Sequence, residues 1–338
     1  MSASIILGIE SSCDDTSAAI ISGSKILSNI AANQAIHNEY GGVVPELASR
    51  AHQQNIIPVV EKAFSKANIQ QNDICAIGFT RGPGLLGSLL VGTSFAKSLA
   101  MSLGVPLIEV NHLQAHILAH FIDDANPKPP TFPFLCLTVS GGHTMIVLVK
   151  DYFEMEIIGK TIDDAAGEAF DKIGKIFDLD YPAGPIIDKL AKEGNPDAFQ
   201  FNKPRMENYD YSFSGIKTSV LYFIQKEVRK NPDFINENLN DLCASVQRSI
   251  IEILMNKLEK ASVDLDIKDV AIAGGVSANS ALRKAMELNQ EKLGWKIFIP
   301  KFEYTTDNAA MIAIVAKLKY ERGEFTDIRT TATAKYDL

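Results

Sequence analysis

The sequence predicts an α/β protein built twice over, with two lobes that each open on a β-meander and continue in helices and further strands. Three observations predict it. Close to the start, SIILGIE, SAAIIS and KILSNI are short apolar runs, and the polar turn SSCDDT separates the first two. From Phe132 the arrangement returns as FPFLCLTVS, MIVLVK and YFEMEIIG, with the tight turn GGHT after the first run. Each meander is followed by longer segments of helical apolar spacing that alternate with β-branched runs.

The remaining elements follow in order. Pro45 takes a first-turn position in PELASRAHQQNIIPVVEKAF, whose apolar spacing is helical. DICAIGFT reads as a strand, RGPGLLGS as a Gly-rich loop, LLVGTSFAKSLAMSLG as a helix and VPLIEV as a strand leading into NHLQAHILAH. Past the second meander, DDAAGEAFDKIGKIF and ENLNDLCASVQRSIIEILMNKLEKA are helical, DVAIAGG is a strand, and ANSALRKAMEL is a helix beginning near Ala278. WKIFIP and the helix TDNAAMIAIVAKLKY close the chain.

This plan is that of the actin-like fold, shared with acetate kinase and the sugar kinases (the ASKHA class). Its two lobes close on a nucleotide and its hairpin turns touch the phosphates. SSCDDTS and SGGHT suit that task, because small residues let backbone N–H groups approach an anion. Either turn alone reads sooner as an ordinary hairpin, and it is their corresponding places in the two halves that carry the signal. The expected boundaries are an N-terminal lobe over 1–125, a second lobe over 126–300, and a segment 301–338 packing back on the first lobe.

Bulk properties exclude some classes. The chain has 338 residues, is 46% hydrophobic and 22% charged, and carries a net charge of −8. That charge argues against a non-specific grip on nucleic acid, so a nucleic-acid substrate needs a local basic patch or a partner. Cys13, Cys75, Cys136 and Cys243 form no CxxC pair, and read as small buried hydrophobes in a reducing compartment. MSASIILGIE lacks a basic leader and a long apolar run, so no signal or transit peptide is expected. The nearly uncharged stretch from Gly82 to Val110 carries Lys97 and several Gly and Pro breaks. It reads as buried helix and strand, without a membrane span, and the expected compartment is the cytoplasm.

Several segments can carry chemistry. His112, His116 and His120 stand four residues apart, and on a helix such neighbours stack on one face. His112 and His116 can share an ion with a third ligand from elsewhere, or be hydrogen-bonded on a half-buried helix. A zinc protease of the HExxH type would need Glu after the first His; Leu113 stands there, and only Gln114 is polar between the two. Asp307 opens the last helix, as a dipole-favoured carboxylate or as a metal ligand, and nothing local decides. AIAGGVSAN runs a strand into Gly274 and Gly275, either a tight β-α turn or a phosphate approach. Asp163, Asp164, Glu168 and Asp171 crowd one helical start. DYSFSGIKT reads as a substrate loop, with Lys203, Arg205, Arg229 and Lys230 as the best local basic surface.

GIESSCDDTSAAI, KSLAMSLGVPLIEVNHLQAHI, TVSGGHT, DDAAGEAFDKIGK, LDYPAGP, YSFSGIKT, AGGVSAN and TDNAAMIA stand in this order from Gly8 to about Ala316. Together they resemble the bacterial TsaD family of tRNA threonylcarbamoyladenosine biosynthesis proteins. The KS…P…H-x-x-A-H-I block is highly specific, and SGGHT, with Ser140 and His143, is similar to the bacterial branch. The resemblance implies the actin-like fold and transfer of a threonylcarbamoyl group from threonylcarbamoyl-AMP, an adenine nucleotide made by a separate enzyme. The acceptor it implies is N6 of adenosine 37, in tRNAs reading codons that begin with A.

The resemblance also implies one divalent metal, Fe(II) or Zn(II), on His112, His116 and Asp307, with no organic cofactor; His120 has no counterpart in that motif. Implied substrate contacts are Thr138, Val139, Ser140, Gly141, Gly142, Asp171, Gly184, Asp188 and Asn279. Thr138, and Ala183 before Gly184, stand where the family varies. Implied partners are tRNA, a TsaB-like paralogue and a TsaE-like small ATPase, with a homodimer left open and no membrane. The general base stays open among Glu10, Asp14 and Asp15. A small-molecule kinase of the same fold is the alternative, and it leaves the His pair without a task.

Overall fold

The computed structural model describes residues 4–32, 34, 40, 42–204 and 206–338. The chain forms two compact units, Met1–Pro130 with Pro300–Leu338, and Thr131–Ile299.

The first unit holds a five-stranded sheet of β1 (Ile5–Glu10), β2 (Thr16–Ser22), β3 (Lys25–Ala32), β4 (Ala76–Gly82) and β5 (Leu107–Asn111), in the order β3-β2-β1-β4-β5. The meander is antiparallel, whereas β1, β4 and β5 run parallel, with Ile9 beside Phe79 and Thr80 beside Val110. Alternation sorts the two faces. Leu7, Ile9, Ile77 and Phe79 join a core with Ile56 and Val60 of α1 (Pro45–Ala67) and Ala96 of α2 (Leu86–Leu103).

On the opposite face Gly8 and Gly78 are direct register partners. A Cβ at Gly8 would stand 2.6 Å from the Ala309 carbonyl oxygen, and one at Gly78 would stand 2.4 Å from the Ala316 methyl. The two glycines thus make the groove in which α9 (Ala309–Glu321) lies against the sheet. Helix α3 (His112–Leu118) packs on α9 in turn. Helix α2 is long and apolar enough to cross a membrane by length and composition. Its Leu89, Ala96 and Ala100 are buried in the unit, while Leu86, Leu90 and Met101 stay exposed, so the expectation of a buried helix holds for one face.

The C-terminal residues run along the ends of β4 and β5. Thr326 N–H donates to Leu107 and Thr333 N–H to Arg81. Arg81 Nη1 donates to both Glu109 carboxylate oxygens, at 2.9 and 3.1 Å, and Tyr336 O–H donates to the same carboxylate.

The second unit repeats the topology. Its strands are β6 (Phe134–Val139), β7 (Thr144–Asp151), β8 (Glu154–Lys160), β9 (Asp269–Ala273) and β10 (Lys296–Phe298), in the order β10-β9-β6-β7-β8. The meander β6-β7-β8 is antiparallel, and β6, β9 and β10 are parallel. Leu135, Leu137 and Val139 of β6 alternate into a core with α4 (Ala166–Ile176), α6 (Ser214–Val228) and α7 (Phe234–Asp264). Helices α5 (Ala183–Ala191) and α8 (Ser280–Leu293) pack on α7.

Three expectations need correction here. Asp163 and Asp164 precede α4. The Asp163 carboxylate accepts from the N–H groups of Phe213 and Ser214 and from both Ser212 and Ser214 hydroxyls, and so satisfies the free donors at the start of α6. The stretch read as a substrate loop is a structural joint, because Tyr211 and Phe213 are fully buried and Ser214–Thr218 is the first turn of α6. Of the expected basic surface, Lys203 pairs with Glu252 and Lys230 with Glu227, Arg229 is exposed, and Arg205 lies outside the described residues. Of the cysteines, all free, Cys136 and Cys243 are buried but Cys13 and Cys75 only partly so.

Candidate metal centre and substrate turns

Parallel strands deliver their carboxyl ends to one edge of a sheet. In the first unit that edge carries Glu10 at the end of β1, Thr80 near the end of β4 and His112 just past β5. Asn111 turns the chain from β5 into α3. Its side-chain oxygen accepts from the N–H groups of Leu113 and Gln114, a helix cap, and its amide donates to the Tyr336 and Asp337 carbonyls at 3.3 and 2.8 Å. The C-terminal residues therefore hold the residue that starts the His helix.

Within that helix the rings of His112 and His116 meet edge to face, 4.7 Å apart. Both are buried. Asp307 approaches from the residue before the cap of α9. The cap itself is Asn308, whose side chain accepts from Met311 N–H, so Asp307 is free of the capping task. Its Oδ1 lies 3.1 Å from His116 Nε2 and 3.4 Å from His112 Nε2. The three side chains offer ligand atoms all within 4.8 Å of one another. This two-nitrogen, one-oxygen set fits a divalent transition ion, and the Asp307 side chain keeps 27% exposure, which leaves a way in.

His120 departs from the row. The α-helix ends at Leu118 and tightens into a 3₁₀ turn over Ala119–Phe121, which breaks the i, i+4 register. His120 is 1% exposed, and its Nδ1 meets the Asn126 amide at 3.0 Å. It is a packing residue with no place on the helix surface.

The electrostatics of the cluster are strongly coupled. Burial disfavours charge on His112, but Asp307 and Glu10 outweigh it and hold the imidazole well above its ordinary range. Burial likewise opposes the charges of Asp307 and Glu10, yet the facing His112 keeps both carboxyls below theirs. Asp15 moves the other way. Burial first, then Asp14, Asp307 and Glu10, push its carboxyl up to about 7. Burial also pushes the Cys13 thiol up, which removes it as a nucleophile.

Glu10 was one of three base candidates on sequence. It is fully buried, with Ser12 N–H on Oε1 and the Thr80 hydroxyl and His112 Nδ1 on Oε2. At 0% exposure neither oxygen is open to a substrate. Asp14 and Asp15, in the turn that follows, are partly exposed. His52 of α1 pins that turn, with Nδ1 2.7 Å from Thr16 Oγ1 and Nε2 3.0 Å from the Cys13 carbonyl. Thr80, Ser12 and His52 escaped the sequence reading. The available signal was a lone carboxylate, Glu10, ending the otherwise apolar IILGIE.

In the second unit the corresponding edge is built from backbone. Thr138 and Val139 end β6, and Ser140–Gly142 turn back, with Ser140 N–H donating to His143 O at 2.8 Å. Gly167 at the start of α4 and Gly274 after β9 press on this turn. A Cβ on Gly167 would lie 2.6 Å from the Ser140 carbonyl, and one on Gly274 would lie 2.5 Å from that of Val139. At Gly141, Gly142 and Gly275 an added Cβ would meet nothing within 4 Å, so the turn faces open space.

The other predicted contacts form a connected set. Asp171 accepts from Ala183 N–H at the start of α5, and burial raises its carboxyl against the backbone N–H groups of Ala183 and Gly184. Gly184 and Asp188 are i, i+4 neighbours on α5. Asp188 Oδ1 takes the N–H and hydroxyl of Ser280. Asn279 caps α8 through Ala281 and Leu282, and its amide donates to Gln247. Its carbonyl oxygen is therefore occupied by the helix, and a nucleotide contact is left to the remaining amide hydrogen. A 3₁₀ turn over Gly275–Ala278 stands between β9 and this cap, so α8 begins two residues later than expected.

Residues 25–314 match the family described as TsaD, tRNA N6-adenosine threonylcarbamoyltransferase. A relative of that name from Riemerella anatipestifer is 83% identical over 338 residues, covering 100% of this chain and 99% of its own. The chain belongs to the TsaD family. It is thus an enzyme, a transferase of tRNA modification. Among solved structures this TsaD family chain is similar to component A of (R)-2-hydroxyglutaryl-CoA dehydratase from Acidaminococcus fermentans, with TM-score 0.53, 16% identity, and coverage of 94% and 99% of the two chains. It is also similar to the ROK hexokinase of Thermus thermophilus, with TM-score 0.53, 14% identity, and coverage of 94% and 100%. Both likenesses concern the fold, which is actin-like.

Proposed function

We propose that the enzyme moves the threonylcarbamoyl group of threonylcarbamoyl-AMP to N6 of adenosine 37, in tRNAs reading codons that begin with A. The observation that carries the metal-dependent form of this reading is the convergence of His112 Nε2, His116 Nε2 and Asp307 Oδ1. A divalent ion held there supplies Lewis acidity and a template for the mixed anhydride. In the reaction, N6 bonds to the carbamoyl carbon, the bond from that carbon to the phosphate oxygen breaks, and AMP departs with the electron pair.

N6 must also lose a proton. Asp14 and Asp15 are the candidate acceptors, since both are partly exposed in the turn after β1 whereas Glu10 is fully buried. In the open turn after β6, where Ser140 N–H is bound to His143 O, the N–H groups of Gly141 and Gly142 serve the phosphate or the developing oxyanion. Asp171, Gly184 and Asp188 hold the nucleotide sugar, and Asn279 contributes its free amide hydrogen. A TsaB-like paralogue and a TsaE-like ATPase complete the reaction system, and with a net charge of −8 a partner surface helps to hold tRNA.

The test is transfer from supplied adenylate to tRNA, with and without the two partners, alongside metal analysis of the same protein. Metal-dependent product on A37 is expected. Full transfer by metal-stripped His112→Ala protein would overturn the role of the ion, and an ATP-dependent small-molecule product without tRNA would favour a kinase.

A further inference from the structure

The two histidines of the cluster are held differently. His116 offers Nε2 to Asp307, while its Nδ1 has no hydrogen-bonding partner among the described residues. His112 is gripped from behind. Its Nδ1 lies 3.1 Å from Glu10 Oε2 and 3.2 Å from Ser12 Oγ, on the ring edge away from the Nε2 that faces Asp307. Glu10 is itself immobilised. It sits at the end of β1 with 0% exposure, Thr80 Oγ1 donates to Oε2 at 2.6 Å, and Ser12 N–H closes on Oε1.

A carboxylate in this place accepts only. It therefore selects the imidazole tautomer with hydrogen on Nδ1 and leaves the Nε2 lone pair for a ligand. We infer that Glu10 is a positioning residue of the metal centre, which through Nδ1 of His112 fixes the tautomer and ring orientation that present Nε2 to the ion, with Thr80 and Ser12 holding Glu10 in turn. This inference rests on the metal reading of His112, His116 and Asp307. It adds a carboxylate–histidine relay whose three members come from the ends of β1, β4 and β5, and it removes Glu10 from proton transfer with the substrate. Orienting partners of this kind carry about 10- to 100-fold of metal affinity.

The experiment uses Zn(II) as the probe ion, on the full chain, with a chromophoric chelator as competitor. Glu10→Ala is expected to weaken Zn(II) binding by about 10- to 100-fold. Glu10→Gln keeps an acceptor oxygen and is expected to recover most of that loss. Long-range ¹H–¹⁵N spectra of the zinc-loaded wild type are expected to show His112 metal-bound at Nε2, with its Nδ1 proton shifted downfield by the charge-assisted bond to Glu10 and that shift reduced in Glu10→Gln, a change that a merely structural role for Glu10 would not produce. Unchanged affinity in folded Glu10→Ala protein, or zinc on Nδ1 of His112 in the wild type, would overturn the proposal. If Glu10→Ala does not fold, the Nδ1 proton of His112 still decides, and a shift identical in wild type and Glu10→Gln would overturn the proposal. Wild-type protein that takes up no stoichiometric zinc would sink the metal reading itself, and the role of Glu10 with it.

Discussion

The two sheets share one topology, yet their carboxyl edges are made of different materials. In the first unit the edge is lined with the buried ionisable side chains of Glu10, His112 and His116, joined from the α9 side by the partly exposed Asp307. In the second it is lined with glycine, serine and helix-start N–H groups, and its carboxylates, Asp171 and Asp188, are engaged in capping. The difference teaches how a duplicated fold specialises. Buried carboxylates and imidazoles collect a cation, because their desolvation cost is offset when an ion pairs them. Exposed backbone N–H groups in a Gly-rich turn favour an anion without charged side chains.

Breaking the first edge should have the largest effect. Asp307→Ala or His116→Ala is expected to reduce metal content to background and transfer by about a thousandfold or more, roughly 4 kcal/mol. Circular dichroism should stay unchanged, and metal analysis with single-turnover transfer checks the outcome. The second edge should break only through its backbone. Gly142→Val places a branched side chain in open space, so the fold should tolerate it, while transfer falls about a hundredfold, the scale of one lost preorganised donor. Metal content should not move.

A pH series sharpens the contrast. In metal-free protein Asp307 and Glu10 hold His112 well above its ordinary pKa, so an entering ion must displace its proton. Apparent metal affinity should therefore rise by up to about tenfold per pH unit until pH passes the His112 value. The stability that the charged imidazole lends metal-free protein is full below its unfolded pKa of about 6.5 and is lost as pH rises through the raised one. The depressed carboxyls lend theirs above their unfolded pKa of about 4, losing it only as pH falls through the lowered values. Chelator competition from about pH 5 to about 9 measures the affinity slope, and thermal melts extended below about pH 4 measure both stability contributions.

Smaller effects mark the boundary of the centre. Asn111→Ala removes the cap of α3 and its tie to the C-terminal residues, for a loss of about 1 kcal/mol in thermal unfolding. His120→Gln should leave metal stoichiometry unchanged, which separates the third His of the row from the other two.

Much of this was legible in the chain. Alternating apolar runs around SSCDDT and GGHT marked both meanders, and Pro45 marked the start of α1. The boundary at Asp163 was misread because small and acidic residues suit a helix start as well as a cap for another helix. YSFSGIKT was misread because hydroxyls beside aromatics look like a binding loop, whereas Tyr211 and Phe213 are the core beneath α6.

The sequence by itself determined the duplicated α/β plan and the stacking of His112 with His116, since periodicity and local spacing survive in one dimension, while its motifs carried the resemblance that implied the family and Asp307 as third ligand. Only the tertiary structure decided the rest. Asp307 reaches the histidines because Gly8 and Gly78 lack side chains and admit α9 against the sheet. Glu10 reaches His112 because parallel pairing aligns the ends of β1, β4 and β5. His120 leaves the row because the helix tightens after Leu118. Each depends on which elements pack together, and residue spacing along the chain carries no record of that.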